Sequence, residues 1–202
     1  PQTTGADPAD VLIDGEQVVA VMSPGSELAD AAEERAQVLD ATGKLVVPGG
    51  VDVHTHMELP FGGTVASDDF ESGTRAAAWG GTTTILDFAT QSFGLNVRQC
   101  LDDRMALAEG NCAIDYGFHM IIGDVNDASL KEMDLLVQEG ISSFKLFMAY
   151  PGVFLSDDGQ ILRAMQQAAG NGGLIMMHAE NGLAIDVLAE QAVERGETSP
   201  VN

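Results

Sequence analysis

Basic side chains are scarce in this chain. Nine Lys and Arg stand against 31 Asp and Glu, giving a net charge of −22 over 202 residues. The lysines are Lys44, Lys131 and Lys145. A surface this acidic repels nucleic acid and anionic membranes, which excludes polyanion binding as the function. It fits a high-salt habitat, where screening removes self-repulsion, and it fits plain solubility equally. Cysteine is nearly absent: Cys100 and Cys112 show no metal-type spacing and no disulfide framework, so a reducing, cytoplasmic setting is expected. No apolar run is long enough to span a bilayer. What the chain does have is 45% apolar content, enough for one sizeable core.

The pattern changes near position 49. Residues 1–48 read as β-rich, with strands at Val11–Asp14 and Gln17–Met22 around Gly15, and at Val38–Asp40 and Leu45–Val47 around Thr42-Gly43. Glu27–Ala36 reads as a loop or short helix. From Gly50 onward, apolar strands alternate with helices. Strands are predicted at Val51–His54, Thr83–Phe88, Tyr116–Ile122, Ser143–Phe147 and Leu174–His178. Helices are predicted at Asp69–Trp79, Val97–Glu109, Leu130–Glu139, Gly159–Ala169 and Leu183–Arg195. Asn96 caps one helix and Gly110 ends it; Ser129 with Glu132 reads as a capping box, closed by Gly140. Repeated βα units make a parallel sheet, either doubly wound or part of a (β/α)8 barrel. A full barrel takes about 250 residues, so a barrel reading leaves about five of eight units here.

In parallel α/β folds the chemistry sits at the C-terminal ends of strands. His54 and His56 end the first strand, and the two-residue period puts them on one face, where they can bite one metal ion together. His178 ends the fifth strand. Any one histidine alone reads as core packing; three at strand ends favour a metal site. Lys145 lies inside an apolar strand. A buried cation is costly, so burial favours the neutral amine, and a neutral amine reacts with carbon dioxide to give a carbamate that can bridge two metals. His119 reads as a core histidine and Asp52 as structural. Asp87 is within possible reach of the site, and Glu180 with Asn181 would orient the loop after the fifth strand. Gly80-Gly81 reads as a helix-ending turn, since no phosphate-loop pattern accompanies it.

Three stretches carry a resemblance: PGGVDVHTHMELPFGGTVASDDFESGTRAAAWGGTTTILDFA at 48–89, FKLFMAYPG at 144–152 and HAENG at 178–182. In order and spacing they resemble the dihydropyrimidinase and D-hydantoinase family of cyclic amidohydrolases. The resemblance implies a metal-dependent (β/α)8 barrel, with a small β-sandwich to which residues 1–48 contribute and a barrel portion from 49 to 202. It implies two zinc ions, or other divalent metals, bridged by N6-carboxylated Lys145. His54 and His56 would hold the more buried ion and His178 the second. Tyr150, five residues after Lys145, would donate to the developing oxyanion, and Leu59, Phe61 and Phe147 would shape the pocket for the ring substituent. The implied reaction opens a cyclic ureide with water. Dihydrouracil or dihydrothymine would give N-carbamoyl-β-amino acids; 5-substituted hydantoins, the alternative substrates, would give N-carbamoyl-α-amino acids. A homotetramer is implied as well.

The family's further metal-binding histidine and its aspartate, the proton shuttle, have no counterpart in these residues. The chain therefore reads as an internal fragment of a longer protein, expected to be inactive and poorly stable alone. Non-catalytic relatives that keep the fold as scaffolds lose metal ligands, and the retention of His54, His56, Lys145 and His178 argues against that alternative.

Overall fold

A computed structural model describes residues 7–199 and 201, and divides the chain into two compact units, Pro1–Pro48 and Gly49–Asn202. In the first unit, β1 (Asp10–Asp14) and β2 (Gln17–Met22) form an antiparallel hairpin, turned at Gly15 with φ +59°. Helix α1 (Glu27–Glu33) follows, its first turn capped by the Ser26 hydroxyl accepting from Ala29 N–H. The strands expected at 38–40 and 45–47 do not form: these residues are irregular and largely exposed. Their apolar composition favours extended chain, but no described strand supplies a ladder partner, and a strand without one is not a stable element.

The second unit is α/β. Its elements in order are β3 (Gly50–Thr55), a hairpin of β4 (Pro60–Phe61) and β5 (Thr64–Val65), α2 (Phe70–Trp79), β6 (Thr82–Thr90), α3 (Val97–Ala108), β7 (Asp115–Ile121), α4 (Asp127–Gln138), β8 (Ser143–Phe147), α5 (Asp158–Asn171), β9 (Leu174–His178) and α6 (Gly182–Glu194). All five strand predictions and all five helix predictions hold, with ends shifted by up to three residues. The β4–β5 hairpin was not expected, although Gly62-Gly63 between short apolar pairs is a legible turn signal. Helix α4 starts one turn earlier than predicted. Asn126 is its cap and Ser129 completes the capping box from the third position, so the Ser129–Glu132 box does not exist.

The sheet order is β3-β6-β7-β8-β9, all parallel. A doubly wound sheet reverses its order at a switch point and covers both faces. Here neighbours follow chain order without reversal. The packing is one-sided as well. Ile85, Ala89, Phe118, Met120, Phe144 and Leu146 alternate along the strands and join Leu101, Met133, Leu136 and Ala164 of the helices in the main core. The opposite parity carries Phe88, Ile121 and Phe147, in a separate small cluster with Phe154 and Met176. Helices outside and a distinct inner face make this a (β/α)8 barrel wall of five strands.

Two motif glycines have a steric reason. A Cβ on Gly49 would lie 2.1 Å from the Thr83 hydroxyl oxygen, where β3 begins beside β6. A Cβ on Gly182 would lie 2.7 Å from Ala149 Cα. Gly182 N–H also donates to the Met148 carbonyl (3.1 Å), docking the start of α6 on the loop that follows β8.

Candidate metal centre at the strand ends

The inner face gathers the chemistry. The His54 and His56 rings meet edge-on with centroids 5.1 Å apart, and both rest on Phe88 at 4.8 Å, His56 stacked at 22°. From β8, Lys145 brings Nζ to 3.3 Å from His54 Nε2. Its ammonium group faces two rings, with Nζ 4.6 Å from the Phe88 centroid and 5.1 Å from that of Phe147. The lysine is only 7% exposed, and no carboxylate among the described residues pairs with it.

Electrostatics follow from that crowding. Burial pushes the Lys145 amine below its ordinary range. Burial lowers His54 too, and the nearby Lys145 charge adds to it. His56 falls to about 4, first by burial and then by repulsion from Lys145 and His54. Three nitrogen bases are thus driven toward neutral forms, each with a lone pair to offer. His56 Nδ1 is buried without a hydrogen-bond partner. A buried orphan of this kind costs about 1–3 kcal/mol unless something binds it, and a cation would satisfy it. The residues present therefore fit a metal ion.

A second cluster adjoins the first. His178, at the end of β9, stacks on Phe147 (5.3 Å, 23°), and its Nε2 lies 2.6 Å from the Glu180 carboxylate. Tyr150 lies 5.3 Å from His178, 5.9 Å from Phe147 and 5.7 Å from Phe61 between ring centroids. It is the β4–β5 hairpin that carries Phe61 there. Tyr150 has φ +63°, a left-handed conformation that bulky residues rarely adopt, and its carbonyl accepts from Val153, Phe154 and Leu155 N–H groups. Strain held by such a turn is typical of functional positions. Phe147 touches both clusters. Of the predicted site residues, Leu59 alone is brought into neither by a described contact; half-buried, it opens the hairpin, its carbonyl accepting from Ala66 N–H (2.9 Å). Among the described residues no three His, Cys, Asp or Glu side chains surround a single point: His178 stands apart from the His54–His56 pair, and the two are linked through Lys145, which meets His54 and the Phe147 ring, and Phe147, which stacks on His178.

Supporting residues have definite roles. His119 is a core histidine: Nε2 donates to the Val53 carbonyl (3.0 Å) and Nδ1 accepts from the Ser143 hydroxyl, tying β3, β7 and β8 together. Asp52 accepts from the His54 N–H (3.0 Å). Asn181 caps α6, accepting from Ala184 N–H. Phe88, the ring under both histidines and the lysine, escaped the sequence reading; its parity with Lys145 and His54 on facing strands was the available signal. Two surface clefts lie elsewhere, both lined by the hydrogen-bonded pair Asn96 and Glu132.

The profile of the amidohydrolase family matches residues 45–201. The chain belongs to that family. Among its curated relatives, a D-hydantoinase of Streptomyces coelicolor is 70% identical over 192 residues, spanning 95% of this chain and 41% of that protein. A D-hydantoinase of Geobacillus stearothermophilus is 50% identical over 170 residues, 84% of this chain and 36% of that protein. Among solved structures, dihydropyrimidinase from Brevibacillus agri superposes with a TM-score of 0.90 at 45% identity, covering 98% of this chain and 42% of that one. The chain thus spans about two fifths of the length of the proteins it resembles. Among the described residues, no helix of this amidohydrolase chain is long and apolar enough to cross a membrane.

Proposed function

We propose that the protein containing this chain hydrolyses the ring amide of cyclic ureides, with 5-substituted hydantoins as the first substrate class. The observation that carries the reading is the convergence of a buried, unpaired Lys145 on the His54–His56 pair. D-hydantoinase is the name of the two relatives above, and it favours hydantoins; the Brevibacillus dihydropyrimidinase supports dihydrouracil and dihydrothymine as the second reading.

In this reading His54, His56, His178 and Lys145 would hold two divalent ions, zinc first, which would supply Lewis acidity and a water nucleophile at neutral pH. The depressed basicity of Lys145 leaves its amine lone pair free to form an N–C bond to carbon dioxide with release of one proton, giving the carbamate. Tyr150 donates its hydroxyl proton in a hydrogen bond to the carbonyl oxygen as charge develops there. Phe61, Phe147 and Leu59 form the apolar wall for the ring substituent. Phe88 and Phe147 keep water from the lysine. Water forms a C–O bond to the ring carbonyl carbon, the ring C–N bond breaks, and the leaving nitrogen takes up the proton that the water releases. Residues 1–48 form part of a small β-sandwich, and the enzyme is a cytoplasmic homotetramer.

The test is ring opening by the full-length protein of a 5-substituted hydantoin and of dihydrouracil, with products identified by mass. Faster turnover of the hydantoin to an N-carbamoyl-α-amino acid supports the first reading. Faster turnover of dihydrouracil moves the assignment to the second. Turnover of neither, in protein that carries metal, overturns both.

A further inference from the structure

Asp87 on β6 is fully buried, and Arg104 on α3 nearly so. Their charges meet directly: Arg104 Nε donates to Asp87 Oδ1 at 2.8 Å, and Nη2 bonds the same oxygen. Both groups also reach the segment that carries His56. Asp87 Oδ2 accepts from Met57 N–H (2.8 Å) and from the Thr55 hydroxyl (3.2 Å), while Arg104 Nη2 donates to the Met57 carbonyl. The residues on either side of His56 are therefore held by one ion pair. Met57 is gripped at both its backbone donor and its backbone acceptor. Its side chain is held too, against Gly73 of α2, where an added Cβ would lie 2.4 Å from the Met57 sulfur. The guanidinium itself lies 4.7 Å over the Phe70 ring.

The β3–β6 ladder alone does not fix this segment. Its register slips between Asp52 and Thr55, the stretch that holds His54, and pairing resumes only at Thr55 with Asp87. An ordinary backbone ladder is interrupted where the first histidine stands, and a side-chain clamp takes over where the second one does.

We infer that Asp87 and Arg104 are positioning residues, a buried clamp that sets His56 at the angle its metal requires. The inference rests on the metal reading proposed above. Partners that orient a metal ligand from behind typically change metal affinity by about 10- to 100-fold when removed.

The test uses full-length, zinc-loaded protein. Removing one charge would strand the other in the core, so both leave together in Asp87→Leu with Arg104→Met, which keeps the volume apolar and filled. Zinc affinity is read by competition with a chromogenic chelator, and folding by the thermal midpoint and far-UV circular dichroism. The expected result is a folded double variant whose zinc affinity falls by about 10- to 100-fold. A folded double variant with parental zinc affinity overturns the inference. If the double variant does not fold, Arg104→Lys replaces it: one amine cannot bond Asp87 and the Met57 carbonyl as the guanidinium does, so weakened zinc binding supports the clamp and parental binding overturns it. Failure of the parent protein to bind zinc is a different outcome. It removes the metal reading and this inference with it.

Discussion

Lys145 Nζ lies 3.3 Å from His54 Nε2, across 91 residues of chain and from β8 to β3. Two nitrogen bases meet in an apolar setting without a carboxylate between them. Such a contact is repulsive when both are protonated, and the fold keeps it because burial drives both toward neutrality. The pair is a ready place for a carbamate and a metal ion. Lys145→Ala and Lys145→Arg in the full-length protein are each expected to lose bound metal and to lower kcat by at least ~100-fold. Arginine stays charged and forms no carbamate. Native mass spectrometry of the parent should show one added carbon dioxide per subunit; the same metal content in Lys145→Arg as in the parent would contradict this role.

Tyr150→Phe removes one hydroxyl and keeps the ring contacts with Phe61, Phe147 and His178. A lost oxyanion donor costs about 10²- to 10³-fold in kcat. That fall is expected here, with KM, metal content and the unfolding midpoint close to parental values. A change confined to KM would assign the hydroxyl to ground-state binding instead.

Acidification should destabilise the metal-free protein. His54, His56 and His119 all lie below the ordinary histidine range, each through burial first, and His56 reaches about 4. The unfolded chain then binds more protons than the folded one between about pH 4 and 6.5. Stability therefore rises with pH through that window. The buried Asp87 carboxyl, raised above its ordinary range by burial, opposes this as one group against three. Thermal midpoints at pH 5 and pH 7 check the sign: the midpoint at pH 7 is expected to be the higher.

Apolar surface lies open along the outer strand and the last helix. Val51 and Val53 on β3 are each 57% exposed, and Leu183 and Leu188 on α6 are 66% and 62% exposed. Patches like these are association and aggregation surfaces when nothing covers them. Residues 1–202 expressed alone are expected to bind a hydrophobic dye, to associate in size-exclusion chromatography, and to open no cyclic ureide. Turnover by the isolated chain would mean that the chemistry needs only the side chains described above.

Much of this was legible in the residues because local signals agreed with one another. The strands of the parallel sheet carry short apolar stretches, and Asn96, Gly110 and Gly140 punctuate the helices as their chemistry requires. Ser129 misled because Ser-x-x-Glu mimics a capping box, whereas Asn126 three residues earlier makes the real one and Glu132 bonds Asn96 and the Arg98 N–H instead. The extended reading of 38–40 and 45–47 failed because a strand is defined by its partner, which local composition does not contain. Barrel and doubly wound sheet were indistinguishable until strand order was known. His54, His56 and His178 stood out as polar groups at the ends of apolar runs, and Lys145 as a cation inside one. The Asp87–Arg104 clamp had no such mark: a strand residue and a helix residue 17 apart meet only after the unit folds.

The most direct measurement is the metal content of the full-length protein, by inductively coupled plasma mass spectrometry, alongside the Lys145→Ala and His56→Ala variants. About two zinc ions per subunit are expected in the parent, with the count reduced in both variants. A metal-free parent that still opens hydantoin rings, unaffected by chelator, would contradict the central claim that the His54–His56–Lys145 convergence is a metal centre.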